Sequence, residues 1–370
     1  MKDRVKLFLC GDVMTGRGID QILPHPGDSQ LHEPCMESSV GYVKLAERAS
    51  GLIRRPAEFS YIWGDALEIF RTEQPQAKVI NLETTITRSD THWRSKDVHY
   101  KMSPENIGCL TSAGIDCCVL ANNHMLDWGV AGLVDTLDMF DKEGIKHVGA
   151  GRHLCEAERP AILRAGEEAR VIVFSLGSTS SGIPIEWSAN EDWPGLNVIE
   201  SRSDDAIRSI ARKITEVKKE GDVVVVSIHW GGNWGYKIPH SQKKLAHHLV
   251  DETGVDIVHG HSSHHVKAIE VYKGRLILYG CGDFFNDYEG IGGYESFRGD
   301  LGLMYFAEVE PRSGKLHSLR MIPTQVRRFR VNHATAADSK WLETLLNREG
   351  KGFGTAVQRS AENFMTLDWS

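Results

Sequence analysis

VDIVHGHSSHHV, residues 255–266, joins a short apolar run to four histidines in seven residues. The apolar half reads as a buried strand. The histidine half reads either as a metal-scavenging surface tract or as one wall of a metal site, and the stretch alone does not choose. The choice depends on how the other apolar runs end. VKLFLC (5–10) leads into Asp12, KVINL (78–82) into Glu83, DCCVLA (116–121) into Asn122, Asn123 and His124, and DVVVVSI (222–228) into His229. In α/β sheets, ligand-binding groups collect outside the carboxyl ends of the strands, where the loops converge on one rim. Taken singly, Asp12 passes for a turn residue, Asn123 for half of a turn pair and His229 for a hydrogen-bonded core histidine. Five strands ending alike point instead to a metal site, with His261 and His264 supplied by the opening stretch.

The rest of the chain fits an α/β fold. KHVGA (146–150), RVIVFSL (170–176) and RLILYG (275–280) add further Val- and Ile-rich runs, several continuous enough to be covered on both faces. Between them, Ser103 followed by Pro104 opens an expected helix that Gly114 closes. Ser203 to Lys219 carries Ala206, Ile207, Ile210, Ala211, Ile214 and Val217 on one helical face. VKAIEVYKGRLILYG reads as a hairpin turning at Lys273-Gly274. A last helix is expected over Ser339 to Glu349, so residues 1–330 form one metal-binding domain and 331–370 a helical extension packed on it. The 370 residues, 41% hydrophobic and 25% charged, are enough for a large core. A net charge of -7 excludes a general attraction to nucleic acid or anionic lipid. Seven scattered cysteines (Cys10, Cys35, Cys109, Cys117, Cys118, Cys155, Cys281) read as buried thiols, and no run reaches membrane-spanning length. The expectation is a cytoplasmic protein with no nucleic-acid or membrane partner; the oligomeric state is left open.

GDVM, NLE, NNH, HWG and GHSSH, in that order and over nearly the whole chain, resemble the CapA family, poly-gamma-glutamate capsule proteins with a calcineurin-like metallophosphoesterase fold. The resemblance implies a four-layer α-β-β-α sandwich around a metal centre. It makes Asp12, Glu83, Asn123, His229, His261 and His264 metal-ligand candidates and His124 the acid/base histidine. Two departures stand out. The phosphoesterase pattern has a His two residues after the first Asp, where this chain has Met14, a poor ligand for a hard or borderline cation. The usual bridging Asp is Glu83. The expectation is therefore one divalent ion, with calcium or manganese favoured by the oxygen ligands and zinc permitted by the histidines.

Three chemistries compete. The fold analogy suggests a metallophosphoesterase with His124 as general acid. The family name suggests an accessory role in polyglutamate capsule synthesis, although such proteins resemble membrane-anchored ones. Some CapA-like proteins in lasso-peptide biosynthesis resemble a third class, metal-dependent epimerases that invert the α-carbon of the C-terminal residue of a ribosomal precursor peptide. That reaction needs two acid/base groups, for which His124 with Asp127, and His261 or His264 with Asp12 or Asp283, are candidate His/Asp pairs. In HWGGNWGY (229–236), Trp230, Trp234 and Tyr236 suit an aromatic-lined substrate pocket, with core packing the plainer reading for Trp230. Trp187 and Trp193 mark a loop that can serve as a lid, and Arg17 can meet a carboxylate or a phosphate. The expected protein is a metal-dependent peptide epimerase, with phosphoester hydrolysis or a polyglutamate role as the alternatives.

Overall fold

The computed structural model describes residues 4–166, 169–199 and 204–370. Along the chain the strands that build the two large sheets are β1 (Val5–Val13), β2 (Ala77–Leu82), β3 (Cys117–Val119), β4 (Lys146–Val148), β5 (Ala161–Ala165), β6 (Ala169–Ser178), β7 (Val223–His229), β8 (Ile257–His261), β9 (Ile269–Tyr272), β10 (Arg275–Leu278), β11 (Asp283–Phe285), β12 (Leu301–Glu310), β13 (Lys315–Val326), β14 (Val331–His333), β15 (Thr355–Arg359) and β16 (Met365–Trp369). The first sheet runs β15-β16-β13-β12-β1-β2-β3-β4, with β11 also on β1 and β14 on β13. The second runs β5-β6-β7-β8-β10-β9, with a short Val198–Ile199 strand on β6. Within each, the central strands are parallel: β1, β2, β3 and β4 in one, β6, β7, β8 and β10 in the other.

Side-chain alternation explains why these runs are apolar throughout. Leu7 and Leu9 of β1, Val79 of β2, Val173 of β6 and Val225 of β7 join a single apolar cluster drawn from both sheets. The residues between them face the other way. Phe8, Cys10 and Ile80 pack with helices α1 (Val40–Ser50), α2 (Ala66–Glu73) and α3 (Gly129–Glu143) through Val43, Phe70 and Leu137. Phe174, Val224 and Val226 pack with α4 (Asp204–Val217) and α5 (His240–Thr253) through Ile210, Ile214 and Leu249. Each such side chain contributes roughly 1.5–3 kcal/mol on burial. The molecule is thus a mixed α/β fold in one unit, as expected from the alternation of runs. Ser203 lies outside the described residues, and so does the Ala206 side chain.

Three expectations need correction. Ser103 does not cap a full helix: its hydroxyl donates to Glu105 at 2.8 Å, and the segment is a 3-10 turn, Pro104–Asn106, followed by a single turn of helix, Gly108–Thr111. Residues 331–370 are not a purely helical extension. The last helix, α6 (Ala336–Gly350), is there, capped by Thr335, but β14, β15 and β16 add three strands to the first sheet. The five-residue alternation of buried and exposed positions in β15 and β16, TAVQR and MTLDW, is too short to stand out beside the helix, and β14 has only three residues. Finally, all seven cysteines are free, but Cys35 and Cys155 are exposed. The hairpin at Lys273-Gly274 is as expected, both residues having the positive φ of a tight turn. Among the described residues no helix is long and apolar enough to cross a membrane.

Candidate metal centre

Strand register brings the ligand candidates together. Asp12, near the end of β1, pairs in register with Asn81 of β2 on one side and Asp283 of β11 on the other. A side chain at Gly11 would meet the Gly282 carbonyl at 1.6 Å, so only glycine lets β11 come this close to β1. His229 and His261 end β7 and β8 in register with each other. Glu83 follows β2, and the Asn122-Asn123-His124 turn follows β3. Asp12, Glu83, His124, His229, His261, His264 and Asp283 are all buried. Two sets of ligand atoms, Asp12–His229–His261 and Asp12–His264–Asp283, each lie within 4.8 Å of one another, and Asp12 belongs to both. Asp283 enters here as a ligand candidate; the sequence suggested it only as a histidine partner.

Hydrogen bonds hold this set in place. Asp12 accepts from Asn81 Nδ2 at 2.7 Å and from the Ser262 N–H at 3.2 Å. Ser262 carries φ +101, a strained value for a residue with a side chain, and its hydroxyl donates to the Gly231 carbonyl at 3.0 Å. His264 Nδ1 lies 3.0 Å from Asp283 Oδ1, and Asn286 donates to the other Asp283 oxygen at 2.6 Å. On the far side, His124 Nδ1 lies 2.6 Å from Asp127 Oδ2, while its Nε2 is 3.8 Å from Glu83 Oε1. Tyr100 stacks on the His124 ring at 3.8 Å, and Tyr288 meets His264 edge-on at 5.4 Å. The two tyrosine hydroxyls bond to each other. Lys96 donates to Asp127 Oδ1 at 2.5 Å and to the Asn123 carbonyl.

The residues present fit a divalent cation on two counts. First, the buried carboxylates repel one another: burial, then Asp283, pushes Asp12 up to about 7, and burial, then Asp12, raises Glu83 well above the usual range. A cation among them removes that cost. Second, the histidine chain does not close with neutral rings. His259 Nε2 must donate to the Cys10 carbonyl at 2.7 Å, so its Nδ1 takes the Ser227 hydroxyl proton at 3.0 Å. His261 Nε2 must then donate to Ser227 at 2.9 Å, which leaves His261 Nδ1 bare. With the Asn123 amide oxygen 2.8 Å from His229 Nε2, that nitrogen carries the hydrogen and His229 Nδ1 is bare too. The two bare nitrogens face each other at 2.8 Å, with Asp12 Oδ1 3.8 Å from His261 Nδ1. Either the Asn123 amide turns its nitrogen to His229 or a cation takes the missing proton's place, and the adjacent carboxylates favour the cation.

Not every expected residue faces this centre. Arg17 is buried at φ +47, with its guanidinium held by Asp287 at 2.5 and 3.2 Å and by Glu33 at 2.9 Å, so it has no free edge for a substrate carboxylate. Trp230 is core: it belongs to the apolar cluster behind the second sheet and donates to the Tyr279 carbonyl at 3.0 Å. Tyr236 packs against the inter-sheet cluster. Trp234 alone of the three lies beside the site, 5.4 Å from His264 and stacked on Tyr294 at 4.2 Å. Trp187 is buried and meets Trp93, whereas Trp193 is exposed. Of the four histidines in HGHSSHH, His261 and His264 face the centre, His259 anchors the chain of rings, and His265 turns toward Trp234 and Tyr236. Lys96, Tyr100 and Tyr288 were not foreseen, since loop residues carry no periodic signal.

A family model described as bacterial capsule synthesis protein PGA_cap matches residues 6–288. The chain belongs to the PGA_cap family. It is 45% identical over 366 residues to a probable polyglutamine synthesis accessory protein of Mycobacterium tuberculosis (strain H37Rv), covering 99% of this chain and 96% of that relative. It is 29% identical to the PGA biosynthesis protein CapA of Bacillus subtilis over 77% of this chain and 64% of the relative. It is 25% identical to the capsule biosynthesis protein CapA of Bacillus anthracis over 77% and 60%. The PGA_cap match spans every ligand candidate from Asp12 to Asp283. The names of these relatives refer to polymer and capsule synthesis, and none refers to an epimerase.

Proposed function

We propose that this PGA_cap protein is a divalent-metal-dependent enzyme that cleaves amide links in a glutamine or glutamate polymer as that polymer is made, and that its sheets and helices form the calcineurin-like four-layer sandwich. One observation carries the metal-dependent part: Asp12 belongs to two ligand sets, Asp12–His229–His261 and Asp12–His264–Asp283. The polymer comes from the names of the relatives. Two ligand sets argue for two ions in place of the single ion expected from Met14, because Asp283 supplies what that methionine lacks. Three histidines with three carboxylates suit manganese or zinc better than calcium.

When bound, the metal supplies Lewis acidity toward a substrate oxygen. The chain supplies the rest. Asp127 fixes the His124 ring from the Nδ1 side, and Lys96 fixes Asp127. Burial lowers His124 to about 4 against the pull of Asp127, so the ring is neutral at neutral pH and free to pass a proton at Nε2, beside Glu83.

A second reading, epimerisation, is favoured by one specific observation. Two separate His–Asp pairs, His124–Asp127 and His264–Asp283, lie on either side of the Tyr100–Tyr288 contact. The deciding assay incubates manganese-loaded protein in D2O with polyglutamine and poly-gamma-glutamate oligomers, followed by mass spectrometry and chiral analysis. Shortened chains without deuterium at the α-carbon support cleavage. A one-deuteron gain with inversion supports epimerisation. Neither outcome, with nitrophenol released from bis-nitrophenyl phosphate, overturns both in favour of a phosphoesterase. His124→Ala is expected to abolish turnover and keep the metal, whereas Glu83→Ala and His229→Ala lose metal as well; equal loss in all three overturns these roles.

A further inference from the structure

The chain from Asn286 to Gly299 leaves the metal centre and returns to it. At its start Asn286 donates to Asp283 at 2.6 Å, and Tyr288 meets His264 edge-on at 5.4 Å. At its end a side chain at Gly299 would meet the His264 carbonyl at 2.9 Å, so glycine lets the backbone close there. Between these anchors residues 291–296 are all exposed, among them Ile291 at 47% and Tyr294 at 52%.

Tyr294 is the most exposed ring of a stack that begins at the metal centre. The His264 N–H donates to the Asn233 carbonyl at 3.0 Å, and the next residue, Trp234, sets its ring 5.4 Å from that of His264. Half-buried Trp234 lies nearly parallel to Tyr294, at 4.2 Å and 3°. Among the described residues no other ring packs on Tyr294, so one face is covered by Trp234 and the other side is turned to solvent.

The charged groups of this loop are engaged within the fold. Glu295 accepts from the Gly293 N–H at 2.9 Å and Glu289 from the Phe329 N–H at 2.8 Å, while Arg298 donates to Asp300 and Asp338. What the loop offers outward is an aromatic face and an aliphatic side chain, held in place at both ends and so ordered before any ligand arrives. Two ring-to-ring steps, 5.4 and 4.2 Å, separate Tyr294 from His264. Roughly three extended residues, at about 3.3–3.6 Å each, cover that distance.

We propose that Tyr294 and Ile291 form an outlying subsite for the polymer chain, the Tyr294 face stacking on a planar amide and Ile291 packing on methylenes, a few residues away from the link held at the metal centre. This rests on the reading of a glutamine or glutamate polymer as substrate. Both polymers carry an amide plane and methylenes in every residue, so the subsite rewards chain length.

The test is calorimetry on the whole chain with dimers and hexamers of glutamine and of gamma-linked glutamate. A hexamer is expected to bind roughly tenfold or more tightly than its dimer, which is too short to reach Tyr294 from the metal centre. Tyr294→Ala is expected to weaken the hexamer roughly five- to tenfold and to leave the dimer as it was. Tyr294→Phe keeps the ring and is expected to keep the hexamer's advantage, and Ile291→Ser to lose a smaller part of it. Both side chains are exposed, so these substitutions remove no core contact. A length preference shown by one polymer alone supports the subsite and identifies its occupant. Equal affinity for dimer and hexamer in both polymers, or a preference kept in full by Tyr294→Ala, overturns it. Length-dependent binding that Tyr294→Ala abolishes, with no turnover of any polymer, retires the proposed function and leaves the subsite standing. Turnover of hexamers with KM unaffected in Tyr294→Ala does the reverse.

Discussion

His124–Asp127 and His264–Asp283 are the same chemical pair, each buried and each joined through Nδ1, yet their surroundings drive them apart. Burial lowers His124 to about 4, and Lys96, which holds Asp127, adds to the effect. Burial also works against a proton on His264, but Asp283 and then Asp12 outweigh it and raise that ring. The lesson is that the number of carboxylates per cation decides the role. One pair already has its cation in Lys96 and, on the proposed reading, would serve as an oriented neutral base or acid. The other faces a surplus of negative charge, which the proposed metal ion would balance. Asp12→Asn breaks this contrast most severely, because it removes the ligand common to both sets. Bound metal, measured by mass spectrometry after equilibrium dialysis, is expected to fall by roughly a hundredfold or more, given that even an outer partner of a ligand is worth 10–100-fold. Asp127→Asn, on the other pair, is expected to leave the metal in place. Similar metal loss in the two would erase the distinction.

Lys96→Met tests the other side. Without the ammonium, Asp127 keeps only His124 and the Tyr100 N–H as partners, and the His124 ring loses the neighbour that fixes its orienting carboxylate. Turnover is expected to drop roughly 10–100-fold, a fraction of the 10²–10⁴ that a positioned acid or base contributes, with metal content unchanged. Lys96→Arg restores part of it if charge is what matters. Unchanged turnover in Lys96→Met would mean that the lysine only packs against Trp187, whose ring it approaches at 5.4 Å.

What was legible in the sequence follows the same division. The placement of each ligand candidate that ends a long apolar strand (Asp12, Glu83, His229, His261) could be read, because the run itself announces where the strand stops. Asp283 was half legible. Its strand has three residues, and its place beside Asp12 comes from the approach of Gly11 to Gly282, a contact between segments far apart in the chain. Arg17 was misread for the same reason: its partner Asp287 is 270 positions away, and nothing local marks the guanidinium as taken. Trp230 shows the converse, since an aromatic next to a ligand faces the opposite side of its strand end, and alternation alone would have sent it to the core. Lys96, Tyr100 and Tyr288 come from segments without long periodic runs, where only the assembled fold says which way a side chain goes.

Lys267 sharpens the comparison by isolating burial from charge. It is 5% exposed, and burial alone lowers it to about 8. It has no carboxylate to raise it as His264 has. The folded state therefore disfavours the charged amine, which still forms below about pH 8, while the unfolded chain titrates near 10.5. The resulting penalty is fully present below pH 8, shrinks as pH rises between 8 and 10.5, and is gone above that. Lys267→Met, which keeps the stem and removes the charge, is expected to stabilise the protein by about 3 kcal/mol at pH 7 and by little at pH 10.5, from about 1.4 kcal/mol per pKa unit. Denaturant unfolding at the two pH values measures it. A gain of the same size at both would assign the effect to packing of the methionine, and burial would then no longer account by itself for the depressed member of the pair at the metal centre.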